Sequence, residues 1–332
     1  MSDLAIVGAG SWGTALAIVL APRCRAIRLW VHRADQAELM RSTRRNDLYL
    51  PGLTLPPNVE IRTDLEGCLQ GAEAVLGVMP SHVARGLYRE MLPWLTPKTL
   101  LISATKGLEN GTLLRISEII QSVAGERFRP GIAVLSGPTF AREVAEGSPT
   151  ALVIASEDAE LGRFIQNWFS GPTFRLYTSC DPAGVEIGGS LKNVIAIGAG
   201  VCAGLQLGRN TMAALIARGL AEITRLALAL GGQRATLAGL AGLGDLILTC
   251  TGELSRNRQV GLELAKGRSI GDIVPGMRMV AEGIRTTSAA FELARRHGID
   301  VPIVEQMHAV LDGGRPPAEA LRQLMERSLK GE

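Results

Sequence analysis

A glycine-rich turn between an apolar strand and a helix is the feature that most restricts the fold of this chain. Gly8, Gly10 and Gly13 follow the apolar run 4–7 and precede the apolar segment 14–20. A strand, a G-x-G-x-x-G turn and a helix in this order form the dinucleotide-binding fingerprint. The first glycine permits the tight turn, the second lets a pyrophosphate approach the backbone, and the third lets the helix pack against the strand. The pattern predicts a nucleotide site at the start of the first helix; a glycine-rich turn without a ligand is the alternative.

The end of the second predicted strand, 27–31, discriminates between the two nicotinamide nucleotides. Enzymes that use NAD usually carry Asp or Glu there, which accepts a hydrogen bond from the ribose 2′-hydroxyl. This chain has His32 and Arg33 instead, and a guanidinium pairs well with the 2′-phosphate of NADP. The residues therefore favour NADP, or a site that accepts both nucleotides. A solvated loop position for Arg33 is the alternative. Asp35 is close in sequence, so the choice of nucleotide stays open at this point.

Composition limits the class of protein. The chain has 332 residues, of which 46% are hydrophobic and 20% charged, enough for two folded domains. The net charge of +3 is small and dispersed, which argues against a nucleic-acid partner. The five cysteines show neither a disulfide framework nor the spacing of a metal site. We therefore expect no bound metal. Asp3 argues against an ordinary signal peptide, and the uncharged stretch 193–208 is too short for a membrane-spanning helix. We expect a cytoplasmic protein without membrane insertion.

The pattern of apolar segments divides the chain into two parts. Up to about residue 188, short continuous apolar runs alternate with helical segments, as in a mostly parallel sheet covered by helices on both faces. The later strands are expected to extend this sheet in antiparallel pairs. From residue 189 only helical patterns remain, as in 211–230 and near 258–266, 282–297, 301–311 and 317–328.

We predict an α/β Rossmann-type dinucleotide-binding domain over residues 1–188 and an all-helical substrate domain over 189–332, with the ligand cleft between them. The predicted strands are 4–7, 27–31, 59–62, 74–79, 99–103, 132–135, 151–155 and 175–177.

Polar residues at strand ends and in the helical part are candidates for the chemistry. Lys106 follows the fifth strand, at the edge where open α/β sheets bind ligands, and Gly137 and Thr139 lie in a tight turn after the sixth. Lys192 opens the first helix of the helical part, and burial there would lower its pKa toward the range that suits proton transfer. Asp245 is a candidate to orient Lys192 or a substrate hydroxyl. Taken singly, each also fits a structural alternative: a solvated lysine, a simple turn or a helix cap.

Several short motifs occur in a fixed order along nearly the whole chain. They are GAGSWGTA from Gly8, SATKG from Ser103, SGPTFA from Ser136, GSLKN from Gly189, GLGDLILTC from Gly242, SRN from Ser255 and VAEG from Val280. This set resembles the bacterial NAD(P)-dependent glycerol-3-phosphate dehydrogenases. The resemblance implies a 6-phosphogluconate-dehydrogenase-like fold and the reversible reduction of dihydroxyacetone phosphate to sn-glycerol 3-phosphate with NADPH or NADH, which supplies glycerophospholipid synthesis. The chain departs mildly from the family at Thr139, where serine is common, and at Ala281, where bulkier residues are common.

The resemblance also implies a role for each matching residue. The cofactor would be contacted by Gly8, Gly10, Ser11, Trp12, Gly13, His32, Arg33, Lys106, Ala141, Arg256, Val280 and Glu282. The substrate would be bound by Lys106, Gly137, Thr139, Lys192, Asp245, Ser255, Arg256 and Asn257. Lys192 would donate and accept the proton beside Asp245, and lysine charge would make a metal unnecessary. The apolar helical part is also expected to bury the face of a homodimer.

The residues also leave two other functions open. A related reductase would act on a hydroxy acid or an acyl thioester; Lys106, Arg256 and Asn257 suit a phosphate, although a carboxylate could use them nearly as well. A catalytically silent NADP-binding sensor would have no need of a proton donor such as Lys192.

Overall fold

One sheet carries every strand in the described part of the chain. A computed structural model describes residues 2–277, 281–329 and 331. Its strands are β1 (Asp3–Val7), β2 (Ala26–Trp30), β3 (Val59–Arg62), β4 (Ala74–Gly77), β5 (Leu100–Ser103), β6 (Gly131–Ser136), β7 (Thr150–Ala155) and β8 (Phe174–Ser179). Its α-helices are α1 (Ser11–Leu20), α2 (Ala34–Thr43), α3 (Leu65–Leu69), α4 (Ala84–Met91), α5 (Ile116–Ala124), α6 (Ala141–Ala145), α7 (Ala159–Phe169), α8 (Pro182–Gly204), α9 (Gly208–Ala229), α10 (Arg234–Ala238), α11 (Asp245–Thr251), α12 (Arg256–Ala265), α13 (Ile270–Ile273), α14 (Glu282–His297), α15 (Pro302–Leu311) and α16 (Pro317–Met325).

The strand order is β3-β2-β1-β4-β5-β6-β7-β8. The order reverses between β1 and β4, and open α/β sheets bind ligands at such a switch point, beyond the carboxyl ends of the strands. Neighbouring strands are parallel except for β6 and β7, which are antiparallel. The predicted mostly parallel sheet is confirmed. The expectation of antiparallel pairs for the later strands was wrong for β7 and β8, because α7 crosses between them and returns the chain in the same direction.

Both faces of the sheet are covered by helices. Every residue of β1 and β4 is buried, which explains why both strands are apolar apart from Asp3, whose carboxylate pairs with Arg25 and Arg28. Ile6 packs on one face in a cluster with Leu16 of α1. On the opposite face, Val75 belongs to a cluster with Met91 of α4 and Ile120 of α5. The central strands are therefore held rigidly, and the loops at their carboxyl ends have a fixed base.

The long helix α8 forms the centre of the helical part. Asp181 caps it by accepting a hydrogen bond from the Gly184 amide at 2.8 Å, and proline occupies its first position. The helix is long and apolar enough to cross a membrane, but 89% of its most apolar stretch is buried inside the protein, as in a core helix. The predicted domain boundary at 188 and 189 therefore falls inside one continuous helix. Lys192 lies well within this helix, not at its start as the sequence suggested.

Candidate active site

The fingerprint turn leaves space for a ligand at its middle glycine. Gly8 has a φ of +120°, and a Cβ added there would lie 2.4 Å from the Val78 carbonyl oxygen. A Cβ added at Gly13 would lie 1.8 Å from the Gly8 carbonyl oxygen, so side chains are excluded at both positions. A Cβ at Gly10 would meet no atom within 4 Å. Gly10 also caps α1 without a side chain, so the first-turn amides face this open space as they do in phosphate-binding turns.

The loop between α2 and β3, which was not predicted from the sequence, holds the fingerprint turn in place. Asn46 is buried in this loop and donates from Nδ2 to the Ala9 carbonyl at 2.9 Å and to Thr14 Oγ1 at 2.7 Å. Ser11 Oγ donates to the Tyr49 carbonyl at 2.6 Å. The buried indole Nε1 of Trp12 has no acceptor among the described residues, so this N–H remains available for a ligand. The turn and its surroundings thus fit a dinucleotide.

The predicted 2′-phosphate site carries a neighbouring carboxylate. His32 and Arg33 are exposed after β2, with the His32 ring 5.6 Å from that of Trp30. Arg33 donates from Nε to Asp35 Oδ1 at 3.1 Å and from a terminal nitrogen to Asp35 Oδ2. A 2′-phosphate would therefore compete with Asp35 for this guanidinium.

Two lysines converge on one buried carboxylate at the junction of the sheet and the helical part. Asp245 is fully buried at the start of α11, directly after a π-helical turn over Leu240–Gly244, a feature frequent at functional sites. Lys106 Nζ donates to Asp245 Oδ2 at 2.7 Å and to the Gly137 carbonyl at 3.3 Å. Lys192 Nζ donates to the other carboxylate oxygen, Oδ1. Three of the predicted site residues are thus in direct contact, and the backbone carbonyl of a fourth, Gly137, accepts a hydrogen bond from Lys106.

The Lys192 ammonium is held from two sides. Thr249 Oγ1 accepts from Lys192 Nζ at 2.9 Å and itself donates to the Asp245 carbonyl at 2.6 Å. Burial lowers the pKa of Lys192 to about 7; the Asp245 charge opposes this shift, and the Lys106 charge adds to it. Lys192 is only 5% exposed, so the alternative of a lysine that extends to solvent is wrong. Its surroundings suit a group that gives and takes a proton near neutral pH.

Thr249 was not predicted, although the sequence contains a signal for it. It lies four residues after Asp245, and this spacing places both side chains on one face of a helix.

The loop that carries Lys106 is anchored in the helical part. Leu108 and Leu113 follow Lys106 and are buried in the same core cluster as Ile187 and Leu191 of α8. The Gly107 amide donates to Ser190 Oγ of α8 at 2.9 Å. Lys106 therefore approaches Asp245 from a loop that begins at the sheet but is fixed on α8.

The motif around Arg256 joins three helices. Ser255 caps α12, with its Oγ accepting from the Arg258 amide at 3.3 Å. Asn257 Nδ2 donates to Asn193 Oδ1 of α8 at 2.9 Å, and its Oδ1 accepts from the Gly283 amide of α14 at 3.0 Å. Arg256, between these two residues, is exposed at the first position of α12. The buried neighbours thus form a rigid base for this guanidinium.

The other predicted site residues lie on separate loops and helix ends. Thr139 Oγ1 donates to the Gly137 carbonyl at 3.2 Å, so its hydroxyl already has an acceptor within the turn. Ala141 begins α6, and Glu282 begins α14. Val280 lies outside the described residues.

The chain is similar to known proteins over nearly its whole length. A family model described as "NAD-dependent glycerol-3-phosphate dehydrogenase N-terminus" matches residues 3–162, and the corresponding C-terminus model matches residues 181–322. The glycerol-3-phosphate dehydrogenase [NAD(P)+] of Koribacter versatilis is 56% identical, over 98% of this chain and 98% of its own length. That of Syntrophotalea carbinolica is 50% identical, over 99% of both chains.

Solved structures show the same fold. The crystal structure of glycerol-3-phosphate dehydrogenase from Coxiella burnetii has a TM-score of 0.94 and 40% identity, covering 98% of this chain and 99% of its own. A ketopantoate reductase from Ralstonia eutropha shares the fold alone, with a TM-score of 0.62 and 19% identity over 96% of this chain and 99% of its own.

Proposed function

The chain belongs to the NAD-dependent glycerol-3-phosphate dehydrogenase family, and we infer that it catalyses the reversible NAD(P)H-dependent reduction of dihydroxyacetone phosphate to sn-glycerol 3-phosphate. The product supplies glycerophospholipid synthesis. One observation of this chain carries the inference: Lys106 and Lys192 meet on buried Asp245, beyond the carboxyl ends of the strands. A sensor without catalysis would not need such a proton-transfer centre.

The cofactor is held, in this proposal, by the fingerprint turn and the residues around it. The open space at Gly10 and the buried Trp12 N–H without an acceptor among the described residues support this assignment. When bound, NAD(P)H supplies the hydride that is transferred to the ketone carbon. The full proposed set is Gly8, Gly10, Ser11, Trp12, Gly13, His32, Arg33, Lys106, Ala141, Arg256, Val280 and Glu282.

The proton comes from Lys192 in this proposal. As negative charge develops on the substrate oxygen during reduction, the Lys192 ammonium donates a proton to it, and the neutral amine takes the proton back in the reverse reaction. Asp245 and Thr249 fix the Nζ atom, and Lys106 adds positive charge that stabilises the developing oxyanion.

The substrate phosphate is assigned to the exposed end of α12. Arg256 supplies the charge, and Ser255 and Asn257 shape its base; Gly137 and Thr139 line the substrate from the turn after β6. A guanidinium offers a fork of donors that matches phosphate oxygens. This assignment is supported by the rigid hydrogen bonds that Asn257 makes to α8 and α14.

The reaction and the phosphate contact are tested together by following NADPH oxidation. We expect turnover with dihydroxyacetone phosphate and little with unphosphorylated dihydroxyacetone. Arg256→Ala should raise KM for the phosphorylated ketone about 10- to 150-fold, because a charge-assisted hydrogen bond contributes roughly 1.5–3 kcal/mol. Arg268→Ala, which removes an exposed arginine paired with Glu263, is the matched control and should leave KM unchanged. Equal losses for both ketones in Arg256→Ala would remove Arg256 from the phosphate site.

Cofactor preference tests the assignment of Arg33. Arg33→Ala should weaken NADPH binding by roughly 1.5–3 kcal/mol and leave NADH binding nearly unchanged, because only NADPH carries the 2′-phosphate. Asp35→Ala should have the opposite effect on NADPH, since it frees the guanidinium from its carboxylate partner. Calorimetric titration of each variant with both nucleotides provides the measurement. If Arg33→Ala weakened NADPH and NADH equally, the 2′-phosphate would be bound elsewhere.

We also propose that the enzyme is a homodimer. The outer face of α9 exposes Ala213, Ala214 and Ala217, and α11, which packs against α9, exposes Ile247. Exposed apolar side chains on adjacent helices suit packing against a second copy. Sedimentation equilibrium should give twice the chain mass for the wild type and a monomer for Ala214→Glu; a monomeric wild type would refute the proposal.

We place the enzyme in the cytoplasm. All five cysteines carry free thiols, which suits a reducing compartment, and α8, the helix among the described residues that is both long and apolar enough to span a membrane, is buried in the core.

A further inference from the structure

A hydrogen bond connects the sheet to the helical part on the side of Glu282. Ser81 follows β4 and is 2% exposed; its Oγ donates to Glu282 Oε2 at 2.9 Å. Glu282 is the first residue of α14, which packs against α8, the helix that carries Lys192. The bond therefore joins the loop at a strand's carboxyl end to the helix pair behind the proton donor.

The Ser81–Glu282 pair lies directly against the backbone that presents Lys106. A Cβ added at Gly107 would lie 2.7 Å from Ser81 Oγ and 3.4 Å from Glu282 Oε2. Because Gly107 has no Cβ, its backbone can approach the pair this closely. Glycine also tolerates the φ of +132° found here, which side chains disfavour. The pair, the Lys106 loop and α8 are thus packed together at one place.

The surroundings keep the Glu282 carboxylate oriented and able to accept further hydrogen bonds. Burial raises the pKa of Glu282, whereas hydrogen bonds from the Ser81 hydroxyl and amide, and the positive charge of Arg256, oppose the rise. The position at the start of α14 also favours a negative charge. A carboxylate offers about four acceptor sites, so the bond from Ser81 leaves others for a ligand.

We propose that Ser81 is a positioning residue for the nicotinamide end of the cofactor: its hydroxyl fixes the Glu282 carboxylate so that this group accepts a hydrogen bond from the carboxamide NH₂. The role rests on the proposed function, in which Glu282 faces the cofactor. The carboxamide is chosen because an ionised carboxylate only accepts hydrogen bonds, and the amide nitrogen is the N–H donor of the nicotinamide ring system.

The test measures binding by calorimetry without substrate, using NADH and its 3-acetylpyridine analogue, which lacks the NH₂ donor. The wild type should bind NADH more tightly than the analogue. Ser81→Ala should weaken NADH binding about 2- to 10-fold, less than the loss of a full charge-assisted hydrogen bond because Glu282 stays in place, and change analogue binding less than about twofold. Ser81→Thr, which keeps a hydroxyl, should restore the preference for NADH.

Ser288→Ala provides the matched control on the same helix. Ser288 Oγ donates to Asp312 Oδ2 at 2.7 Å, so this variant removes the same type of bond on α14 at another carboxylate, and both nucleotides should bind as to the wild type. Equal weakening of both nucleotides in Ser81→Ala, or no weakening at all, would overturn the positioning role. Failure of the wild type to bind either nucleotide would instead overturn the proposed function and, with it, this role.

Discussion

Replacing Lys192 with alanine is expected to lower kcat for dihydroxyacetone phosphate reduction by about 10²–10⁴-fold, the usual contribution of general acid catalysis. The variant should still fold, because Asp245 keeps Lys106 as an ionic partner and its buried carboxylate is not left alone. NADPH affinity should change little, since the fingerprint turn lies on another element. Steady-state kinetics and calorimetric titration with NADPH provide the two measurements.

A second variant separates proton donation from charge. Lys192→Arg keeps a positive charge, but a guanidinium does not give up a proton near neutral pH, so its kcat should also fall strongly. Lys266→Ala, which removes an exposed lysine paired with Glu263, should retain wild-type kcat. A decrease of less than about tenfold in Lys192→Ala would exclude Lys192 as the acid.

The pH dependence follows from the buried position of Lys192. Burial lowers its pKa to about 7. Reduction needs the protonated ammonium, so kcat for reduction should be highest below this pKa and decrease as the pH rises through it. Oxidation of glycerol 3-phosphate needs the neutral amine, so its kcat should increase over the same range. Rate profiles in both directions that moved together would contradict the assignment.

Much of the fold follows from local patterns in the sequence. Short strand-like runs predicted all eight strands of the described sheet. The central strand β4 is apolar throughout because helices cover both faces, whereas β3 and the first residues of β8 alternate buried and exposed side chains. The helices near 258–266, 282–297, 301–311 and 317–328 correspond to α12, α14, α15 and α16 to within a few residues. The start of α8 was missed, because buried Glu186 interrupts its apolar pattern; Arg115 and Ser117, distant in sequence, supply its hydrogen bonds.

The site was predictable only where its residues belong to recognisable motifs. Lys106, Lys192 and Asp245 lie in three such motifs, although their convergence is a tertiary contact that no local pattern specifies. Asn46 and Ser81 carry no motif signal, because their importance arises from partners far along the chain, at Ala9 and Glu282. Arg33 and Asp35 are neighbours in the sequence, and both were noted there. Their hydrogen bond was not predicted, because the sequence does not specify the side-chain conformations that bring them into contact.

Replacing Asp245 with asparagine is expected to reduce kcat at pH 7 by about 10²-fold or more, through loss of proton donation and of charge stabilisation. Asparagine preserves the size of the side chain but removes the negative charge that both lysines share. Breaking a buried ion pair by removing one partner costs about 3–5 kcal/mol when the other group stays charged. The Lys192 ammonium is therefore expected to lose its proton more readily in the variant.

This gives Asp245→Asn a signature in pH that a purely structural defect would lack. Asp245 is the charge that raises the pKa of Lys192 against the effect of burial, so without it the pKa should decrease further below its ordinary value. The descending limb of the reduction profile should then move to lower pH. The variant should also lose stability as the pH is lowered, because folding must then retain a lysine whose folded-state pKa is depressed. Asp312→Asn, at a partly exposed carboxylate, is the control and should leave the limb in place. An unmoved limb in Asp245→Asn, measured from kcat against pH alongside thermal unfolding, would show that Asp245 does not govern the protonation of Lys192.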